Sequence, residues 1–245
     1  MKTRINNVNF LRLLTILLLV NSFSSCKKKP VIELKIETDS IMDIDSNIYK
    51  TVKIGNKWWM AENLKTRKYK NGELIRTIQF DEQWQKKLPS FCKYGNGSNV
   101  NGLLYNFFAI SDTNGLAPVG WHIATDADWK ELEIYLGMTK LQADSTGWRG
   151  TNEGEKLKKE GNTGWSPFED VWNTNSSGFS ALSGSCRLPN ATFGYPGLSY
   201  TGFWWCNTEL NNNESYYRYM DYKSKKVMRH YVSKNYGMSV RCVKD

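Results

Sequence analysis

An α+β domain of antiparallel sheets with long loops and one clear helix, at about residues 125–137, is what this 245-residue sequence predicts. Three observations carry the prediction. The chain holds 10 Trp, 13 Tyr and 10 Phe with 19 Gly and only 6 Pro, a composition of strands and turns. After Trp148 the text runs as short strand-like segments broken by turn residues. Before it, a single stretch carries both helical periodicity and capping signals, so a helix on one side of a sheet is expected.

The N-terminus reads as an export signal over residues 1–25. Lys2, Arg4 and Arg12 form a basic start, residues 13–20 (LLTILLLV) an apolar run, and Ser22, Ser24 and Ser25 supply small residues before Cys26. The run is too short for a bilayer of ~30 Å, which needs ~20 residues; the alternatives are a short anchor helix or a buried one. Phe23-Ser24-Ser25-Cys26 resembles a bacterial lipobox, with Phe23 where Leu is usual. That resemblance implies cleavage before Cys26 and a thioether-linked diacylglycerol on its thiol. Each buried acyl CH₂ would contribute ~0.8 kcal/mol to a membrane anchor. Lys27, Lys28, Lys29 and Pro30 follow, either against anionic headgroups at ~1 kcal/mol per basic residue or as a solvated spacer. The absence of Asp after Cys26 resembles the pattern of outer-membrane delivery. Residues 26–49 read as a tether, with an edge strand as the alternative because VIELKIE alternates.

From residue 50 the composition becomes that of a domain. Residues 51–64 (TVKIGNKWWMAENL) read as a hairpin turning at Gly55-Asn56. Residues 65–102 are loop-rich, and 103–110 (LLYNFFAI) are a strand or a short helix. For the helix, Thr125 is the N-cap and Asp128 completes a capping-box relative. Asp126 and Asp128 suit the positive helix start. Trp129, Leu132 and Leu136 share a face, and Gly137 ends it. The acids of this segment could form a functional cluster, but capping already accounts for the aspartates. Residues 179–186, 202–208, 216–222, 226–232 and 237–243 read as strands, the last with Met238, Val240 and Cys242 inward.

The formal net charge of +9 falls to +6 once Lys2, Arg4 and Arg12 are removed. The basic residues are scattered and form no nucleic-acid footprint. Mean hydropathy of −0.56 excludes a multi-span membrane protein. His122 and His230 are the only histidines, and neither sits in a nucleophile or metalloprotease motif. Glu153, Glu155, Glu169, Asp170, Glu209 and Glu214 could supply a glycosidase pair, which needs two carboxylates ~5–9 Å apart. The oxygen-rich loop 209–214 could hold Ca²⁺ but lacks EF-hand spacing and reads as a polar loop. With no CxxC or His-Cys cluster, no zinc, other metal or cofactor is expected. Apart from Cys26, Cys92, Cys186, Cys206 and Cys242 make an even set in an oxidising compartment, with three possible connectivities. Trp204, Trp205, Tyr217, Arg218 and Tyr219 crowd together. Strand alternation would send one of Trp204 and Trp205 to the core and leave the other able to face out.

The pieces VKIGNKWWMAENL, GLLYNFFAI, LAPVGWHIATDADWKELEIYLG, GFSAL, GFWWCNTE, YYRYMDY and GMSVRCVKD, in that order, resemble the Fibrobacter succinogenes major paralogous domain over residues 51–245. The resemblance implies a C-type lectin-like or formylglycine-generating-enzyme-like fold, and an exported protein that is often a lipoprotein. The family's biochemical function is unassigned, so it lends no functional residues. Many members carry Cys where this chain has Ala117; against that pattern, disulfides Cys92–Cys242 and Cys186–Cys206 are expected. The calcium-lectin tripeptides and the copper site of the enzyme relatives have no counterpart here. The combined expectation is an outer-membrane lipoprotein acting as a non-catalytic binding or adhesion module for a polysaccharide or a surface protein. Trp204, Trp205, Glu209, Tyr217 and Arg218 are its candidate ligand residues, and an envelope glycan hydrolase is the alternative.

Overall fold

The computed structural model describes residues 36–78, 81–94, 101–161, 164–194 and 198–245. The leader, Cys26 and the lysines after it lie outside the described residues. From Ile36 onward the chain forms one compact unit.

The described chain begins with β1 (Thr38–Met42), antiparallel to β2 (Ile48–Ile54), so residues 38–42 are an edge strand of the domain rather than tether. β2 turns into β3 (Lys57–Met60) with Ile54 opposite Lys57, which leaves Gly55-Asn56 as a two-residue loop. Gly55 has φ 62°, the sign a tight hairpin needs and glycine supplies without strain. β4 (Arg76–Thr77), α1 (Asp81–Trp84), β5 (Ser90–Cys92) and β6 (Leu104–Asn106) follow. Asn106 then caps α2 (Phe107–Ile110), its side chain accepting from the Ala109 N–H. The apolar run 103–110 is thus a strand and a helical turn in succession.

β7 (Trp121–Ile123) leads into α3 (Asp126–Tyr135), where the expected capping box is complete. Thr125 accepts from the Asp128 N–H, and the Asp128 side chain accepts in return from the Thr125 N–H. α4 (Lys140–Asp144), β8 (Gly147–Arg149) and α5 (Glu153–Leu157) precede the late strands: β9 (Thr201–Glu209), β10 (Glu214–Asp221), β11 (Val227–Ser233), β12 (Gly237–Met238) and β13 (Cys242–Lys244). They assemble into three sheets, ordered β1-β2-β3-β13-β7, β8-β11-β10-β9 and β12-β6-β5-β4.

This overturns the α+β, lectin-like expectation with one clear helix. The described chain is mainly antiparallel β-structure in three sheets, with five short helices and no helical layer. Four of those helices have four or five residues, too few to leave a 3.6-residue period in the sequence. Residues 179–186 are not a strand. Ser180 has φ 53°, and the segment makes only isolated bridges, Ala181 to Lys158 and Gly184 to Gly202. The expected last strand is split: Ser239 leaves β6 to bridge Trp204 on β9, residues 240 and 241 join no strand, and the Arg241 side chain is buried.

β9 explains most of the core. It is buried on both faces, and Trp204 and Trp205 are each fully buried. Trp204 faces Trp129 at 6.4 Å between ring centroids, in a cluster where Trp129 also meets Trp59 at 5.4 Å and Phe179 at 5.3 Å. Trp205 points the other way, onto Phe107 at 5.6 Å. Area burial alone assigns roughly 4–6 kcal/mol to each such side chain. Arg241, also fully buried, binds the C-terminal strand region to the rest: Nε donates to Asn63 Oδ1 at 2.7 Å, and Nη1 to the Met60 and Phe179 carbonyls at 2.8 and 2.7 Å.

Candidate functional site

Strand alternation on β10 sorts its side chains into two environments. Tyr216, Arg218 and Met220 face α3, and Tyr217 and Tyr219 face the opposite side. On the α3 side lies a buried ionic network. Arg218 Nε donates to Glu133 Oε1 at 2.7 Å and its Nη1 to Asp126 Oδ1 at 2.8 Å. Arg149 clasps Glu133 with two hydrogen bonds of 2.7 and 2.8 Å, and Arg229 does the same to Asp126, both at 2.8 Å. Burial pushes the Asp126 carboxyl up, but Arg229 and Arg218 outweigh it and hold it well below the usual carboxylate range.

The other side of the same sheet is a half-buried aromatic face. Phe203 on β9 stands opposite Tyr219 on β10, Tyr219 opposite Met228 on β11, and Met228 opposite Trp148 on β8. The row crosses all four strands, three inter-strand spacings or roughly 14 Å. Phe203 and Tyr219 are 4.8 Å apart between centroids, and Tyr219 and Trp148 5.3 Å. Trp148, at 40 % exposure, is the most open ring of the row. A second row begins at buried Trp205 and continues through Tyr217 to His230, these last two 6.4 Å apart. Burial, then Cys186 and Tyr236, push the Tyr217 phenol up to about 12. Burial and the hydrogen bond to Asp221 (2.8 Å) push Tyr219 higher still. Both phenols therefore stay protonated at neutral pH. The face offers flat rings and neutral hydroxyls, the chemistry of stacking rather than of charge capture.

The candidate ligand residues divide sharply against this geometry. Tyr217 lies on the face. Trp204, Trp205 and Arg218 are fully buried and cannot reach a ligand. Arg218 is inside because two carboxylates await it there, and the tryptophans because both sides of β9 are core. Glu209 is exposed but held by Lys234 Nζ at 2.9 Å. The loop 209–214 is closed on itself, Asn211 Oδ1 accepting from the Asn213 and Glu214 N–H groups at 2.8 and 2.9 Å. Phe203, Met228, His230 and Trp148 were absent from the sequence-based set. Alternation from Tyr217 could have found Phe203, but Trp148 needed the knowledge that β8 joins this sheet.

The expected disulfides are not formed: Cys92, Cys186, Cys206 and Cys242 are free and buried. Each proposed pair is divided between two separate core clusters. Cys92 packs with Trp84 and Tyr94 while Cys242 packs with Tyr49 and Trp205; Cys186 shares that second cluster, while Cys206 packs with Trp129 and Trp204. Cys206 Sγ instead accepts from Arg218 Nη1 at 3.3 Å.

His122 bridges two carboxylates, with Nδ1 2.7 Å from Asp245 Oδ1 and Nε2 3.1 Å from Asp128 Oδ2. Burial pushes Asp128 up, but Lys57, Thr125 and His122 together hold it below its ordinary value. The Thr125 hydroxyl donates to Asp128, not to the imidazole, so the group locks β7 to the helix cap. Among the described residues no cluster of three or more His, Cys, Asp or Glu is arranged to hold a metal, and no helix is long and apolar enough to cross a membrane.

The Fibrobacter succinogenes major domain family matches residues 52–244 of the chain. No curated protein and no solved structure matches it.

Proposed function

The chain belongs to the Fibrobacter succinogenes major domain family, and from that premise we propose that it is a non-catalytic binding module of the bacterial envelope. In this reading a lipid on Cys26 anchors it to the outer membrane, and the aromatic face of the β8-β11-β10-β9 sheet holds a glycan chain. The observation that carries the reading is the half-buried row Phe203–Tyr219–Met228–Trp148, exposed at its Trp148 end, on a sheet whose reverse is core. The CH faces of sugars stack on such rings, and the phenols of Tyr217 and Tyr219 donate or accept hydrogen bonds at the edges. Each stacked ring contributes modestly, so one domain should bind at ~10 µM to 1 mM. Many lipid-anchored copies on one membrane would raise the avidity.

Affinity electrophoresis of the chain through gels cast with a panel of polysaccharides tests the reading. Retardation by at least one polysaccharide, lost in Tyr219→Ala and Trp148→Ala, supports it. Hydrolysis of a polysaccharide would favour the envelope glycan hydrolase instead.

A further inference from the structure

A different part of the domain keeps an indole outside. Trp172 is 73 % exposed, though its backbone is firmly fixed. Its N–H donates to Glu155 Oε1 at 2.8 Å, and the Thr174 N–H to the Glu155 carbonyl at 3.0 Å. The Val171 N–H donates to the Phe168 carbonyl at 3.1 Å, closing a tight turn over Glu169 and Asp170. Glu155, the anchor of this loop, is itself buried. Phe168 stands edge-on to Tyr222 at 5.7 Å. The loop therefore presents Trp172 on a fixed support and forgoes the several kcal/mol that burying an indole would bring.

Beside Trp172 runs an open groove of about 570 Å³, lined among others by Glu160, Phe168, Glu169 and Asn173. The two charged residues that line it are both negative, with Lys223 Nζ 5.6 Å from the Phe168 ring, although the chain as a whole is strongly basic at +9. Its side-chain donors, the Trp172 indole and the Asn173 amide, are neutral. An aromatic ring beside two carboxylates is complementary to a cation that also donates hydrogen bonds.

We propose that this groove binds an amino sugar bearing a free ammonium group. The pyranose ring stacks on Trp172, and the ammonium lies between Glu160 and Glu169. A lysine side chain has the same head group but offers no ring to cover an indole this open, which favours the sugar. This site is separate from the aromatic face of the sheet and does not depend on it.

Isothermal titration of the full chain in a non-ionic detergent tests the proposal with three probes: a glucosamine tetramer, its fully N-acetylated counterpart and a lysine tetrapeptide. The glucosamine tetramer should bind, and acetylation should weaken binding by about tenfold or more, the effect of losing a charge-assisted contact of ~1.5–3 kcal/mol. Trp172→Ala and the double variant Glu160→Gln/Glu169→Gln should each weaken it to a similar extent, with unchanged circular dichroism. Equal binding of the acetylated tetramer, tighter binding of the lysine peptide, wild-type affinity in either variant, or no binding of the glucosamine tetramer would each overturn the proposal.

Discussion

Tyr219 and Trp148 lie with ring centroids 5.3 Å apart although β11 runs between their strands. The register places Met228 opposite both, so the two rings meet across the sheet face above it. On the reverse of β10, one residue away, Arg218 is locked to Glu133 and Asp126. One strand thus carries a rigid ionic backing on one side and half-buried rings on the other. A binding surface benefits from such backing, because less side-chain freedom is lost when a ligand arrives.

The backing should fail most severely at Glu133. Removing its charge leaves Arg149, Arg218 and Arg229 buried around Asp126 alone. Removing Arg218 instead leaves two matched pairs, Arg149 with Glu133 and Arg229 with Asp126. Glu133→Gln should cost about 3–5 kcal/mol in urea unfolding, and Arg218→Met distinctly less. Equal losses would show that the network is not balanced in this way.

Acid should loosen the same network. The Asp126 carboxyl is depressed in the folded state, so its contribution is fully present above the unfolded value near pH 4 and is lost as pH falls below it. Urea midpoints measured between pH 5 and 2 should decline for the native chain, and less steeply for Asp126→Asn.

The free thiols give a third expectation. Burial pushes Cys92 up to about 11 and Cys186 and Cys206 to about 12. Above pH 9 the unfolded chain loses these protons before the folded one does, so their contribution to stability falls from pH 9 toward 12. At pH 8 a thiol reagent should find Cys92, Cys186, Cys206 and Cys242 unreactive until denaturant is added, when all four react. Fewer reactive thiols in the denatured, unreduced chain would mean that some are paired.

Local rules were legible in the sequence; the sorting of side chains between inside and outside was only half so. The α3 cap needed nothing beyond Thr125 and Asp128, and the β2–β3 turn nothing beyond Gly55-Asn56, because both are settled within a few residues. Trp204 and Trp205 misled because a half-buried strand alternates, while β9 runs between two core clusters. Arg218 read as a ligand group because its partners, Asp126 and Glu133, are 92 and 85 residues away. The cysteines read as pairs because an even count says nothing about which core cluster each thiol enters. Trp148 was invisible as a site residue until the sheet order placed β8 beside β11.

The proposed anchor makes a separate prediction. Mass spectrometry of the native product should find Cys26 as the first residue, carrying acyl chains, and Cys26→Ser should release the protein from the membrane fraction. An unmodified N-terminus downstream of Cys26 would contradict it.

The central claim is that the sheet face of Phe203, Tyr219 and Trp148 is the ligand platform. Its most direct test is gel retardation of the double variant Trp148→Ala/Tyr219→Ala on whichever polysaccharide retains the native chain. Loss of two stacked rings, at ~1 kcal/mol each beyond area burial, should weaken retention at least about tenfold while urea stability stays within about 2 kcal/mol of the native chain, since Trp148 is 40 % exposed and Tyr219 half-buried. Undiminished retention in the double variant would contradict the account.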